Sequence, residues 1–277
     1  MSVSQATLRS IWAYVDIEQE KAGLPIMTEQ RTIELKIKRQ DSPNDPPRWE
    51  VFSVPYLPRA NVITCLKQIQ SNPVTKDGKE TTPVVWDSNC LEEVCGACTM
   101  LVNGKVRQAC SALVDQLEQP IVLEPMRKFP TVRDLVVDRS FMFESLKRVK
   151  AWIPIDGSYD LGAGPRMSER QQEIAYMLSR CMTCGCCVEA CPQVNERSDF
   201  IGPAVISQVR LFNLHPTGEM NRWERLESLI DKDGISGCGG AQNCVKVCPK
   251  EIQLTESIAA MARETSKYQI RKIFHMD

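Results

Sequence analysis

Histidine is nearly missing from this chain: His215 and His275 are the only two in 277 residues. Neither has a nucleophile or carboxylate pattern beside it, so each reads as a surface or capping side chain rather than a proton carrier or ligand. An excess of charge of one sign is missing too. Lys and Arg number 34 against 35 Asp and Glu, for a net charge of -1, which removes the electrostatic footprint of a nucleic-acid or anionic-membrane binder. No stretch approaches the roughly 18 consecutive apolar residues of a membrane helix, so membrane association is expected to come through another subunit. Near the N-terminus the run Ile11 to Val15 is short and is followed at once by Asp16, Glu18, Glu20 and Lys21, which is not a signal peptide. Gly162 and Gly164 sit in a turn-rich loop rather than after a strand, so a dinucleotide-binding fingerprint is also lacking.

What the chain does have is cysteine. Thirteen in 277 residues is about 5%, below the roughly 8–10% of a disulfide scaffold, and the number is odd. Without an export signal the expected compartment is reducing, where clustered thiols bind metal more often than they pair. They fall in three groups, 90–110, 181–191 and 238–248, with Cys65 apart.

The length allows two domains of ordinary size. Residues 1–26 are an N-terminal extension without fixed structure or a mis-assigned start. The first domain spans 27–135. Within it, Thr32 to Lys38 alternates apolar Ile33, Leu35 and Ile37 with polar neighbours, and Trp49 to Val54 is a second strand. Asn61 caps a helix that buries Val62, Cys65, Leu66 and Ile69. Thr99 to Val102 and Lys105 to Gln108 flank Asn103-Gly104, a strong hairpin signal. A connecting segment, 136–165, ends in a stretch rich in turn formers from Pro154 to Pro165. The remainder, 166–277, carries helix patterns at Ser168–Arg180, Pro203–Asn213 and Asn221–Ile230, and reads as helical. The fold class is therefore α+β, with a helical second domain.

Cys90, Cys95 and Cys98, followed by Cys110, give the C-x4-C-x2-C and distant fourth cysteine of plant-type [2Fe-2S] sites. Gly96 and Ala97 let the backbone approach bridging sulfides closely, and the hairpin returns the chain so that Cys110 can join the other three. A structural zinc site is the competing reading, but zinc ribbons usually pair two short C-x2-C knuckles and only one exists here.

Cys181, Cys184, Cys187 and Cys191-Pro192 match the bacterial C-x2-C-x2-C-x3-C-P run, whose fourth cysteine ligates the other cluster. Counting back from Cys248-Pro249 with the same intervals puts partner slots at 244, 241 and 238. Cys244 and Cys238 occupy two; Ala241 fills the third. Exchange of fourth ligands then gives a [4Fe-4S] site from Cys181, Cys184, Cys187 and Cys248, and a three-thiolate site from Cys191, Cys238 and Cys244. Alanine offers no donor to a fourth iron, so a [3Fe-4S] cluster is expected there, with water or a non-protein ligand on a fourth iron as the alternative. Cys186 and Cys65 fall outside every slot and read as small buried thiols.

A plant-type segment followed by a two-cluster segment with one empty slot resembles the iron-sulfur subunit of the succinate dehydrogenase and fumarate reductase family, from about Thr28 to the C-terminus. The resemblance implies a β-grasp ferredoxin domain followed by an all-helical two-cluster ferredoxin domain. It implies a flavoprotein partner carrying FAD and a membrane anchor, often with haem b, that binds quinone. The chain would then sit peripherally on the cytoplasmic face of a bacterial plasma membrane. Cys90, Cys95, Cys98 and Cys110 would face the flavoprotein, and Cys191, Cys238 and Cys244 the quinone. Ubiquinone-linked members carry tryptophan a few residues after the middle Cys-Pro and histidine after the first cysteine of the last group. This chain has Gln193-Val194-Asn195-Glu196 and Gly239 instead, which points to a menaquinone-linked anchor. Arg210 and Arg222 are read as solvated helix faces or quinone-side contacts. Fumarate reduction by the same type of complex, a free multi-cluster carrier, and the iron-sulfur subunit of another flavoprotein dehydrogenase are the competing functions.

Overall fold

The computed structural model describes residues 31–153 and 166–274. The expectations for residues 1–26, for the turn-rich stretch 154–165 and for His275 lie outside them. Strand β1 (Thr32–Arg39) pairs antiparallel with β2 (Arg48–Pro55). The hairpin of β3 (Thr99–Val102) and β4 (Lys105–Gln108) has the bounds expected from Asn103-Gly104, and both turn residues take positive φ, 49° and 74°. Strand β5 (Ile121–Glu124) lies between the two pairs, parallel to β1 and antiparallel to β3, which completes the order β2-β1-β5-β3-β4. A small pair, β6 (Thr131–Arg133) and β7 (Val136–Val137), follows.

The alternation along β1 sends Ile33, Leu35 and Ile37 inward, each no more than 1% exposed. Helix α1 (Val62–Ser71) closes that face with Val62, Ile63, Cys65, Leu66 and Ile69. Each such side chain contributes roughly 1.5–3 kcal/mol by leaving water. Asn61 is the N-cap: its Oδ1 accepts from the Thr64 amide at 2.9 Å, while its Nδ2 donates to the Cys110 carbonyl at 2.8 Å. One side chain thus starts the helix and holds a candidate ligand's backbone. Asn61→Ala is expected to cost about 1–2 kcal/mol, read as a lower urea midpoint, and to make the cluster site at Cys110 more labile to chelator.

The inward parity of β1 continues to Arg39, which is fully buried. Its Nε donates to Asp134 at 2.9 Å, Nη1 reaches Glu50, and Nη2 donates to the Thr82 carbonyl at 3.0 Å.

Helix α2 (Ser140–Arg148) lies in the segment read as a connector. Beyond it come α3 (Glu169–Ser179), α4 (Cys186–Glu189), α5 (Pro203–Leu214), α6 (Arg222–Ile230), α7 (Asn243–Lys246) and α8 (Leu254–Ile273). Ser168 caps α3 in a full capping box with Gln171. Helix α5 packs on α3, α6 and α8, while α4 packs on α7. The second half is not wholly helical, as β8 (Val194–Asn195) and β9 (Ser198–Asp199) form a minimal hairpin after Cys191-Pro192. Its strands are too short to leave an alternation signal.

The two halves meet over a shared apolar cluster. Leu101 and Val106 of the β3–β4 hairpin pack with Met126, Phe129, Cys184, Cys186, Cys187 and Val188. The Glu189 carboxylate accepts the amides of Arg127 at 3.1 Å and Lys128 at 3.0 Å. On the other side Arg225, also fully buried, donates to the carbonyls of Lys150 at 3.0 Å and Trp152 at 2.9 Å, tying the end of the first described stretch to α6.

Candidate cluster-binding sites

The loop 90–98 alternates backbone handedness, with positive φ at Leu91 (61°), Glu93 (55°) and Gly96 (71°). Such alternation turns successive N–H groups to one side and makes a concavity suited to negative charge. Three of them meet Cys90: the amides of Glu92, Val94 and Cys95 donate to its Sγ at 3.4, 3.3 and 3.3 Å. The amides of Cys90 and Ala97 reach Cys95 Sγ at 3.5 Å each. The Glu92 amide, followed by that of Val94, pulls the Cys90 thiol down to about 7.

Cys98 and Cys110 form a second pair in thiol–thiol contact, where burial pushes Cys98 up to about 12. The two pairs are joined through Ser111, whose hydroxyl donates to Glu93 Oε1 at 2.7 Å.

In the second half, Cys181, Cys184, Cys186, Cys187 and Cys248 line one apolar pocket with Ile252 and Leu254. Burial holds the Cys187 thiol well above its ordinary value, and the charges it faces next are those of Cys184, Cys181 and Cys248. Cys244 is raised by burial and then, opposed by its hydrogen bond with Val245, by Cys191 and Cys238. These are two neighbourhoods, one of five thiols, of which Cys186 lies outside the ligand spacing, and one of three. Helices α4 and α7 occupy equivalent places in them, each entered through a left-handed residue, Gly185 at φ 91° and Gln242 at φ 60°. Ala241, in the slot equivalent to Cys184, is exposed.

The donor set fits polynuclear iron. Among the described residues no three His, Cys, Asp or Glu side chains converge as a single ion requires. Tetrahedral thiolates at a Zn–S distance of about 2.3 Å stand only ~3.8 Å apart, whereas a cluster carries its irons between more widely spaced sulfurs.

Two residues outside every slot are close to the sites. Cys186 is 1% exposed, and its thiol donates to Cys184, drawing that thiol down to about 7. Gln193, the first residue of the stretch 193–196 singled out in the sequence, lies over Gly239, where an added Cβ would stand 2.3 Å from its Nε2. Cys65 is buried on α1, in the same apolar core as Cys98 and Cys110. His215 Nδ1 accepts the amides of Thr217 and Gly218 at 3.2 and 3.3 Å, capping the turn after α5. Arg222 pairs with Glu219 and Glu264, and Arg210 donates to Ser257 Oγ, so each is at least partly engaged within the chain.

Comparison with known proteins gives the same division. The family described as a 2Fe-2S iron-sulfur cluster binding domain matches residues 34–144, and the 4Fe-4S dicluster domain family matches residues 177–252. The succinate dehydrogenase iron-sulfur subunit of Bacillus subtilis (strain 168) is 61% identical over 251 residues, covering 91% of this chain and 99% of the relative. The fumarate reductase iron-sulfur subunit of Wolinella succinogenes is 30% identical over 224 residues, covering 79% of this chain and 90% of the relative. A chain of the Mycobacterium smegmatis Sdh1 complex in the apo form superposes with a TM-score of 0.74 over 86% of this chain and 97% of that one, at 22% identity, a likeness of fold. Identity of this extent to relatives matched over almost their whole length leaves one assignment: the chain belongs to the family of iron-sulfur subunits of succinate dehydrogenase and fumarate reductase, components of an oxidoreductase complex.

Proposed function

We propose that this chain is the electron-transfer subunit of a succinate dehydrogenase that delivers electrons from an FAD-bearing flavoprotein to a membrane quinone. The observation that carries the reading is the division of the later cysteines, with Cys248 beside Cys181, Cys184 and Cys187, and Cys191 beside Cys238 and Cys244. Cys90, Cys95, Cys98 and Cys110 are assigned to [2Fe-2S], the first of these neighbourhoods to [4Fe-4S], and the second, with Ala241 in the open slot, to [3Fe-4S]. The first domain (27–135) is read as a β-grasp ferredoxin fold and the last (166–277) as a two-cluster ferredoxin fold, joined by 136–165.

Bound there, the clusters would supply one-electron carriers between the two-electron chemistries of a dicarboxylate and a quinone. The chain's own residues hold and tune them. The amides of Glu92, Val94 and Cys95 place positive dipole ends against Cys90 and stabilise its thiolate. The apolar wall of Ile252 and Leu254, each 2% exposed, keeps water from the pocket that holds Cys181, Cys184, Cys187 and Cys248. No described helix is long and apolar enough to cross a membrane, which fits a peripheral subunit held on the cytoplasmic face by an anchor with haem b. The stretch Gln193-Val194-Asn195-Glu196, which lacks tryptophan, and Gly239, in place of histidine, support menaquinone as the acceptor. Twofold higher identity to a succinate dehydrogenase subunit than to a fumarate reductase subunit supports the oxidative direction.

The test is electron paramagnetic resonance on the complex from membranes, as isolated, after succinate and after dithionite. An oxidised three-iron signal should disappear with succinate as a reduced two-iron signal appears. Reduction by dithionite alone would overturn the dicarboxylate assignment.

A further inference from the structure

A side chain from the first half reaches the three-cysteine site. Lys128 lies in the loop between β5 and β6, inside residues 34–144, the stretch that matches the two-iron family. Its Nζ donates to the carbonyl of Cys191. The ammonium is thereby placed on the same residue that carries a candidate ligand sulfur, a few covalent bonds away.

Neither the junction nor the turn at Cys191 needs this side chain to hold it. The Glu189 carboxylate accepts the amides of Arg127 and Lys128 at 3.1 and 3.0 Å, and any residue except proline would offer those amides. The Cys191 carbonyl already accepts the Val194 amide at 3.2 Å. Next to it, Asn243 Nδ2 donates to the Ala190 carbonyl at 3.1 Å, which ties the turn to the helix that carries Cys244. Ordering a lysine stem costs rotamer freedom, and what it adds here is charge. In the cleft that Lys128 lines, Arg127 and Arg148 pair with Glu124 and Asp233, while Glu196 and Asp199 stand exposed with Arg197 on the β8–β9 hairpin. Among the described residues no carboxylate comes within ion-pairing distance of Lys128.

We propose that Lys128 supplies a positive charge that raises the reduction potential of the cluster held by Cys191, Cys238 and Cys244, so that the first domain helps set the driving force at the last cluster of the second. The inference rests on the reading of those three cysteines as [3Fe-4S] ligands. Taking up one electron adds a negative charge to the cluster, and a fixed cation beside it favours the reduced form over the oxidised one. Lys128 is only partly buried, so water screens the effect and keeps it moderate.

The experiment is a redox titration of the whole membrane complex, followed by electron paramagnetic resonance, for wild type, Lys128→Arg, Lys128→Gln, Lys128→Met and Lys128→Glu. Glutamine keeps a donor for the Cys191 carbonyl without the charge, which separates the charge from the bond. At a fixed potential near the wild-type midpoint, the ratio of reduced to oxidised three-iron cluster should fall about threefold to tenfold in Lys128→Gln and Lys128→Met, a lowering of roughly 30–60 mV. It should fall further in Lys128→Glu and stay close to wild type in Lys128→Arg, while the two-iron and four-iron potentials move much less. If methionine or glutamate releases the cluster, the glutamine and arginine variants still decide the question. A glutamine variant at the wild-type potential, or equal shifts at every cluster, would overturn the inference. Absence of an oxidised three-iron signal in wild type would instead overturn the ligand reading beneath it, so the two failures are distinct.

Discussion

Arg39→Ala is expected to destabilise the first domain by about 3–5 kcal/mol, since removing one partner of a buried ion pair strands the other charge. Arg39 and Asp134 are both fully buried, and Glu50 is nearly so at 14%. Asp134 also accepts the amides of Gln40 at 3.0 Å and Val85 at 2.9 Å, bonds that survive the substitution and place the loss toward the lower part of that range. The effect reaches the site. Arg39 Nη2 bonds the Thr82 carbonyl and hydroxyl, and Asp134 holds Val85, so the pair fixes the segment that leads into Cys90. Denaturant unfolding of the purified chain should show the fall in midpoint, together with faster loss of the two-iron absorption than at the other clusters. Arg39→Lys, which keeps charge but loses the planar fork, should recover only part of the stability. A loss below about 1 kcal/mol for Arg39→Ala would mean that the surrounding carbonyls and water carry the pair's work.

Local chemistry written in a few adjacent residues was legible. The alternation of Ile33, Leu35 and Ile37, the Asn103-Gly104 turn, the Asn61 cap and the Ser168 start of a helix each act over less than ten residues, and each element appears within a residue or two of its expected bounds. The two iron-sulfur domains were legible in the cysteine spacing for the same reason, because cluster geometry imposes intervals on the chain. Strand β5 was not. Ile121, Val122 and Leu123 are too few to show a period, and their pairing with β1 lies more than 80 residues away. Helix α8 was missed because its buried positions, Leu254, Ser257, Met261 and Thr265, follow helical spacing but include two hydroxyls, which thins the apolar stripe on which such a reading depends.

The candidate site shows the same division between near and far. Spacing excluded Cys186 from the ligand slots and made it a small buried thiol. It could not show that its neighbours are Cys184 and, from the other domain, Gln108. An amide at the end of a hairpin strand carries no sign of its partner 78 residues on. Likewise the stretch 193–196 and Gly239 were singled out separately as departures from a pattern, and only the folded chain puts Gln193 over Gly239.

On the assignment proposed above, Ala241→Cys is expected to convert the three-iron site into a four-iron one. The equivalence of α4 and α7 places Ala241 where Cys184 stands in the other half, after the first cysteine of its run and one residue before a left-handed turn. The loop already adopts the conformation a ligand there requires, with positive φ at Gly240 and Gln242 and Cys244 buried beyond them. An introduced thiolate adds the donor a fourth iron needs, and its negative charge favours the oxidised state of the resulting four-iron cluster over its reduced state. The oxidised three-iron signal should vanish and a reduced four-iron signal should replace it at lower potential. Each ~59 mV of lowering cuts the reduced fraction tenfold at a fixed donor potential, so succinate-dependent quinone reduction should fall by about an order of magnitude or more, while succinate oxidation with an artificial acceptor taking electrons ahead of this site persists. Ala241→Ser, with a poorer ligand, should leave the three-iron signal in place. If the signal survives the cysteine substitution unchanged, the register that puts an open slot at 241 is wrong, and with it the pairing of Cys248 with the earlier run.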